Sequence, residues 1–177
     1  MSVLRSTAKA LVLAGLLAFP QGAMAQLGGM VGGSDVDRLV ELASAYGPAE
    51  RRFDDAEESP WIRAEMDGVV YTITFLNCTD GISCTSLQLR AWWESAGAHT
   101  IEQMNAWNRD RRFSAAYLDI NNNATIEFDV NLAGGVTAVN MDDTLQWWQL
   151  VLSEFRNEVI DPGYANAGGG GAPALSK

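Results

Sequence analysis

Few residues in this chain have a type and spacing suited to covalent or coordination chemistry, and the two cysteines come first. Cys78 and Cys84 flank the five residues Thr79-Asp80-Gly81-Ile82-Ser83. A hairpin turn at Asp80-Gly81 would bring both thiols within bridging distance, so a structural disulfide is expected. A redox-active pair is the rival reading, but the spacing is not the C-x-x-C at a helix start that lowers a thiol pKa. For so short a loop, chain-entropy reasoning assigns the bond about 2–3 kcal/mol.

The other reactive types are sparse. Asp119-Ile120-Asn121-Asn122-Asn123 begins like a calcium loop, but Ala124 stands at the glycine position and Val130 at the bidentate acid position. An Asx-rich hairpin turn fits better. His99, the single histidine, precedes a helix cap with no motif partner and reads as a surface residue rather than a general base. No Gly-x-Ser-x-Gly, His-Glu-x-x-His or phosphate-binding glycine loop occurs. The acid pairs Asp142-Asp143 and Glu57-Glu58 fall at a helix start and in a turn, where solvated carboxylates are ordinary. No catalytic, metal or cofactor residue is therefore assigned, and the expected class is not an enzyme.

Arg109, Arg111 and Arg112 are the one basic cluster. They complement a helix C-terminus, with an anion contact as the functional alternative. Asn105 and Asn108, one helical turn apart, could tie that helix to the next strand.

The elements that must position these groups lie behind a leader. Arg5 and Lys9 precede an apolar run from Ala10 to Phe19, then Pro20, Gly22 and Ala23-Met24-Ala25. That order reads as a signal peptide over residues 1–25, cut after Ala25, and so as a periplasmic or secreted protein. The run is too short to span a membrane. The leader holds two of the twelve basic residues and none of the 22 acidic ones, so cleavage takes the net charge from −10 to −12. Such a surface disfavours nucleic acid and anionic lipid as partners.

Residues 26–33 read as a flexible lead, 34–160 as one domain and 161–177 as a disordered Gly-rich tail. Ser34 caps a first helix with Val36, Leu39, Val40 and Ala43 on its buried stripe, ended by Gly47-Pro48. Strands follow at Ala49 to Phe53, Trp61 to Met66, Val69 to Leu76 and Cys84 to Trp93. A polar turn over Asp54 to Ser59 separates the first two, and Asp67-Gly68 makes the second hairpin. Thr100 with Gln103 opens a second helix that carries Ile101, Met104 and Trp107 inward. Strands over Phe113 to Leu118 and Ala124 to Leu132 come next. A third helix from Ala138 to Val159 buries Met141, Leu145, Trp148, Leu152, Phe155 and Val159. The order α-β-β-β-β-α-β-β-α gives an α+β domain, an antiparallel sheet with helices on one face.

The tryptophans are the most suggestive side chains. On the third helix Trp147 and Leu150 point away from the buried stripe and Val151 lies at its edge, so the three form a second apolar strip. Trp92 and Trp93 must face opposite sides of their strand, so one leaves the helix-covered face. Surface tryptophans are favoured binding anchors.

Several stretches resemble the YbjN family: Cys84 to Trp93, Asn105 to Phe113, Ala116-Tyr117-Leu118-Asp119, Asp129 to Leu132 with Gly134-Gly135-Val136-Thr137, and Trp147-Trp148. The resemblance runs from about Ser34 to Glu158. It implies a bacterial sensory transduction regulator, non-enzymatic and partner-binding, with a fold similar to type III secretion chaperones. The expected function is an exported, chaperone-like protein-binding module that presents its open sheet face and the Trp147 strip to a protein partner or a second copy, as a homodimer. The alternatives are a small-ligand receptor that uses the same face with Arg90, and an unrecognised hydrolase.

Overall fold

The computed structural model describes residues 28–54, 57–81, 83–94 and 97–162. The leader with its cleavage site and the glycine run Gly168 to Gly171 lie outside them. The α+β reading holds. Helices α1 (Val36–Ser44), α2 (Ile101–Asp110) and α3 (Ala138–Phe155) accompany eight strands. These are β1 (Met30–Val31), β2 (Ala49–Asp54), β3 (Glu57–Met66), β4 (Val69–Thr79), β5 (Ser83–Trp93), β6 (Ala115–Leu118), β7 (Ala124–Asn131) and β8 (Val136–Thr137). Six of them form one antiparallel sheet in the order β2-β3-β4-β5-β7-β6, and β1 pairs with β8 apart from it.

Alternation decides the layering. In β4 Tyr71, Ile73 and Phe75 are buried while Thr72 and Thr74 are not, and in β5 Leu87, Leu89 and Ala91 repeat the pattern. The helices cover that side. Leu39, Leu42 and Ala43 of α1 and Met104 and Trp107 of α2 join a single core with Met141, Leu145, Trp148, Leu152 and Phe155 of α3. Trp148 is fully buried and meets Tyr71 edge-on at 5.8 Å and Phe128 at 6.4 Å. Phe155 sits between Trp93 and Trp107, with ring centroids 5.5 and 5.0 Å away. Trp93 therefore faces the helices, and Trp92 faces out.

The expected turns appear with their expected chemistry. Asp67 (φ 50°) and Gly68 (φ 78°) are both left-handed, which the tight β3–β4 hairpin requires. Cys78 and Cys84 lie directly opposite each other in the β4–β5 ladder and form the disulfide. Thr100 caps α2 reciprocally with Gln103.

Other boundaries differ from the sequence reading. The polar stretch over Asp54 to Ser59 is mostly strand: β2 and β3 stay paired until Asp54 aligns with Glu57, with a register irregularity at Phe53 and Asp54. Acidic residues on an edge hairpin keep the backbone ladder while remaining polar, so composition mimics a turn there. Asp35, not Ser34, occupies the N-cap of α1, and its carboxylate accepts from the Gly32 N–H at 2.7 Å.

Ile101 is exposed, not inward. The bonds that dock α2 involve Trp107 and Asn108, so its first turn projects beyond its cover. Phe113 lies outside β6, in a left-handed conformation (φ 67°) that departs from extended backbone. The last helix changes to a π turn over Arg156–Ile160, where the Asp161 N–H reaches the Arg156 carbonyl at 2.7 Å.

Residues read as a flexible lead carry a built strap. Val31 is fully buried in β1, and the Ala138 N–H donates to the Gly29 carbonyl at 3.0 Å. Gly33 packs so closely that a Cβ there would stand 2.0 Å from the Cys84 carbonyl oxygen. Only glycine allows that approach.

Candidate functional site

Among the described residues, all three helices cover one side, so the other face of the sheet is formed by strand residues. Register brings Thr72, Arg90 and Glu127 into one cross-strand row and Thr74, Gln88 and Asp129 into the next. A third row joins Trp92, Thr125 and Tyr117. Thr125 is fully buried although none of the described helices lies over it. Its cross-strand neighbours on either side are Trp92 and Tyr117.

The polar groups of this face hold one another. Tyr117 donates its hydroxyl to Glu127 Oε1 at 2.5 Å, and Arg90 Nε lies 3.4 Å from the same oxygen, an ion pair without a hydrogen bond's geometry. The Arg90 guanidinium sits 5.7 Å from the Trp92 ring centroid, within cation–π reach. Gln88 Nε2 donates to Asp129 Oδ1 at 3.0 Å. Partial burial and then the bond to Glu127 push the Tyr117 hydroxyl up to about 12, so it remains a donor at neutral pH. Trp92 is 43 % exposed, an aromatic platform backed by a fixed network.

The Trp147 strip fares differently. Val151 is only 2 % exposed and Leu150 is half-buried. With a helix seated across a six-stranded sheet, the buried sector widens and takes in the flank that a single stripe leaves out. Trp147 is half-buried too, packed on the core and against Phe113 at 4.9 Å. Phe113 is 45 % exposed at φ 67°, an uncommon conformation for so bulky a residue, and the Arg112 guanidinium lies 4.6 Å from its ring. The surface here is a Phe113–Trp147 ridge rather than a Trp147–Leu150–Val151 strip.

Two members of the arginine cluster are engaged by carboxylates of this chain. Arg109 pairs with Asp110 at 2.7 Å. Arg111 grips both oxygens of Glu158 at 2.5 and 2.6 Å, lies 3.3 Å from Glu154 and stacks over Trp107 at 5.5 Å. Burial holds the Glu154 carboxyl above its ordinary value despite the lowering effect of Arg111. The cluster joins α2 to the end of α3.

Asn108 performs the tie expected of it. Its side chain accepts from the Ala116 N–H at 2.7 Å and donates to the Ala116 carbonyl at 2.9 Å, as a neighbouring strand would. This occupies backbone groups of the edge strand β6. Asn108→Ala should lower the unfolding free energy by about 1–3 kcal/mol in urea denaturation, because it strands two backbone groups. A loss below about 0.5 kcal/mol would mean that water replaces the side chain at no cost.

The remaining candidates lie apart from this face. Asp119 Oδ1 accepts from the Asn121 and Asn123 N–H groups at 2.8 and 2.9 Å, an Asx turn that lowers its pKa. Asp142 accepts from Tyr46 at 2.7 Å, Asp143 is exposed, and His99 is half-buried ahead of the α2 cap. Among the described residues, no group of three or more His, Cys, Asp or Glu side chains is placed to hold a metal, and no helix is long and apolar enough to cross a membrane. The side chains of Glu57 and Glu58 lie outside the described residues.

The sequence reading missed Tyr117, Glu127 and Phe113 as surface participants. For the first two the signal was available: both sit on the same alternation phase as Trp92's neighbours, once the β5–β7–β6 pairing is known.

No curated protein and no solved structure matches the chain. A family does: the sequence pattern described as "Putative bacterial sensory transduction regulator" matches residues 35–161, from the cap of α1 to the residue after the π turn. With that match over most of its length, the chain belongs to the YbjN family.

Proposed function

We propose that this protein is an exported regulator that works by binding another protein, with the open sheet face around Trp92 as the docking surface. Family membership supports a regulatory or binding role without catalysis. The leader, the Cys78–Cys84 disulfide and the acidic balance support export to the periplasm or beyond. One observation carries the choice of surface: Trp92 stands 43 % exposed on a helix-free face, braced by Arg90, Glu127 and Tyr117. Tryptophan and arginine are both enriched among the residues that dominate binding energy, and bracing lowers the entropy lost on docking. The Phe113–Trp147 ridge is a second contact region.

Trp92→Ala is expected to weaken partner capture from periplasmic extract by about 10–100-fold while near-ultraviolet circular dichroism stays native. Light scattering across a concentration series shows whether the partner is a second copy. A homodimer lost in Trp92→Ala would assign the face to self-association. Capture and mass both unchanged by Trp92→Ala would remove this face from the proposal.

A further inference from the structure

Beside the disulfide, on the helix side of the sheet, lies a recess of about 260 Å³. Val36 of α1, Phe53 of β2, Pro60 of β3, Phe75 of β4 and Cys84 of β5 line it. The strap forms its remaining boundary through Gly33 and Ser34, held there by the contact of Gly33 with the Cys84 backbone. Helix α1 starts at Val36 and leaves Phe53 uncovered, so this phenylalanine is 63 % exposed although it shares the helix-side phase of β2 with Ala49. An apolar concavity with a charged group at its wall has the make-up of small-ligand sites.

One charged side chain stands among the described lining residues, Arg51, and the chain around it carries a net charge of −10. Its counter-ion is Asp37 at 2.6 Å, whose side chain is 89 % exposed. An exposed ion pair of this kind contributes little and is readily exchanged. A guest that brings its own carboxylate and also buries apolar surface gains what Asp37 cannot supply. The volume falls just below the roughly 300–1,000 Å³ of drug-sized sites, which limits the guest to a short chain or a single ring.

We propose that this recess binds small monocarboxylates with an apolar body, the carboxylate on Arg51 and the body among Phe53, Pro60 and Phe75. The site is separate from the open sheet face and does not rest on the reading of that surface.

The test is calorimetric titration of the purified protein with octanoate and 3-phenylpropionate, and with 1-octanol as the uncharged control. Saturable binding of one of the acids, with octanol at least about tenfold weaker, is expected. Arg51→Gln should weaken the acid about tenfold or more, and Asp37→Asn should tighten it about threefold, because it removes the competing carboxylate. The opposite signs separate ligand competition from damage to the fold. Amide shift changes on titration should centre on Val36, Phe53 and Phe75. Absence of saturable binding, equal affinity of wild type and Arg51→Gln, or shift changes centred on Trp92 would each overturn the proposal.

Discussion

Trp148→Ala should cost about 3–5 kcal/mol of unfolding free energy, the range for removing a large aromatic from a packed core. Trp148 has no accessible surface, and it touches both Tyr71 of β4 and Phe128 of β7, so the cavity would open between α3 and two strands at once. A domain of this size has roughly 5–15 kcal/mol in total, so the variant should lie near its folding threshold. Trp147→Ala, one residue away, should cost less, about 1–2 kcal/mol, since that side chain is only partly buried. Urea unfolding of the two variants at neutral pH, compared by midpoint at constant slope, measures the difference. Equal losses would mean that α3 does not present Trp148 alone to the sheet.

Arg111→Met should cost about 2–3 kcal/mol at pH 7, and the loss should shrink on acidification. Arg111 is the cation beside Glu154, whose side chain is 10 % exposed, and it also holds Glu158. Removing it leaves a nearly buried carboxylate without compensation, which costs 3–5 kcal/mol in fully buried pairs and less where water reaches one partner.

The pH dependence follows from the direction of the Glu154 shift. Its folded pKa is raised above the ordinary 4.5, chiefly by burial. Protonated Glu154 therefore favours the folded state, and that contribution is lost as pH rises from 4.5 through the raised value. Arg111→Met deepens the loss at neutral pH, and the double variant Arg111→Met, Glu154→Gln should recover most of it. Glu154→Gln alone should flatten the stability profile across the same window. Unfolding curves at pH 4.5, 5.5 and 7 decide the matter. A pH-independent loss in Arg111→Met would assign it to the Trp107 stacking contact instead.

These two sites show how unevenly the fold was legible. The buried stripe of α3 from Met141 to Val159 could be read from a 3.6-residue period because every member points to the same sheet. The flank holding Val151 could not, since its burial depends on how wide a surface the helix lies on. Asp67-Gly68 announced its hairpin because both residues must adopt positive φ. The β2–β3 hairpin hid behind a run of acidic residues, a composition that does not report backbone pairing. The open-face cluster was half visible: Trp92 and Arg90 share a phase within one strand, but Glu127 and Tyr117 join them only through the β5–β7–β6 order. The recess around Phe53 was not visible at all, because its walls come from five separate segments.

By itself, then, the sequence determined the alternation of β4, β5 and β7, the cap of α2, the cysteine pairing and the family. All of these are encoded in residues a few positions apart, where backbone geometry leaves little choice. Tertiary structure alone decided which apolar flank is buried, which charges neutralise one another and where a concave surface remains. Those outcomes depend on groups brought together from distant parts of the chain, such as Arg111 with Glu158 and Arg51 with Asp37. Such pairings follow from strand order and helix placement, which no local pattern specifies.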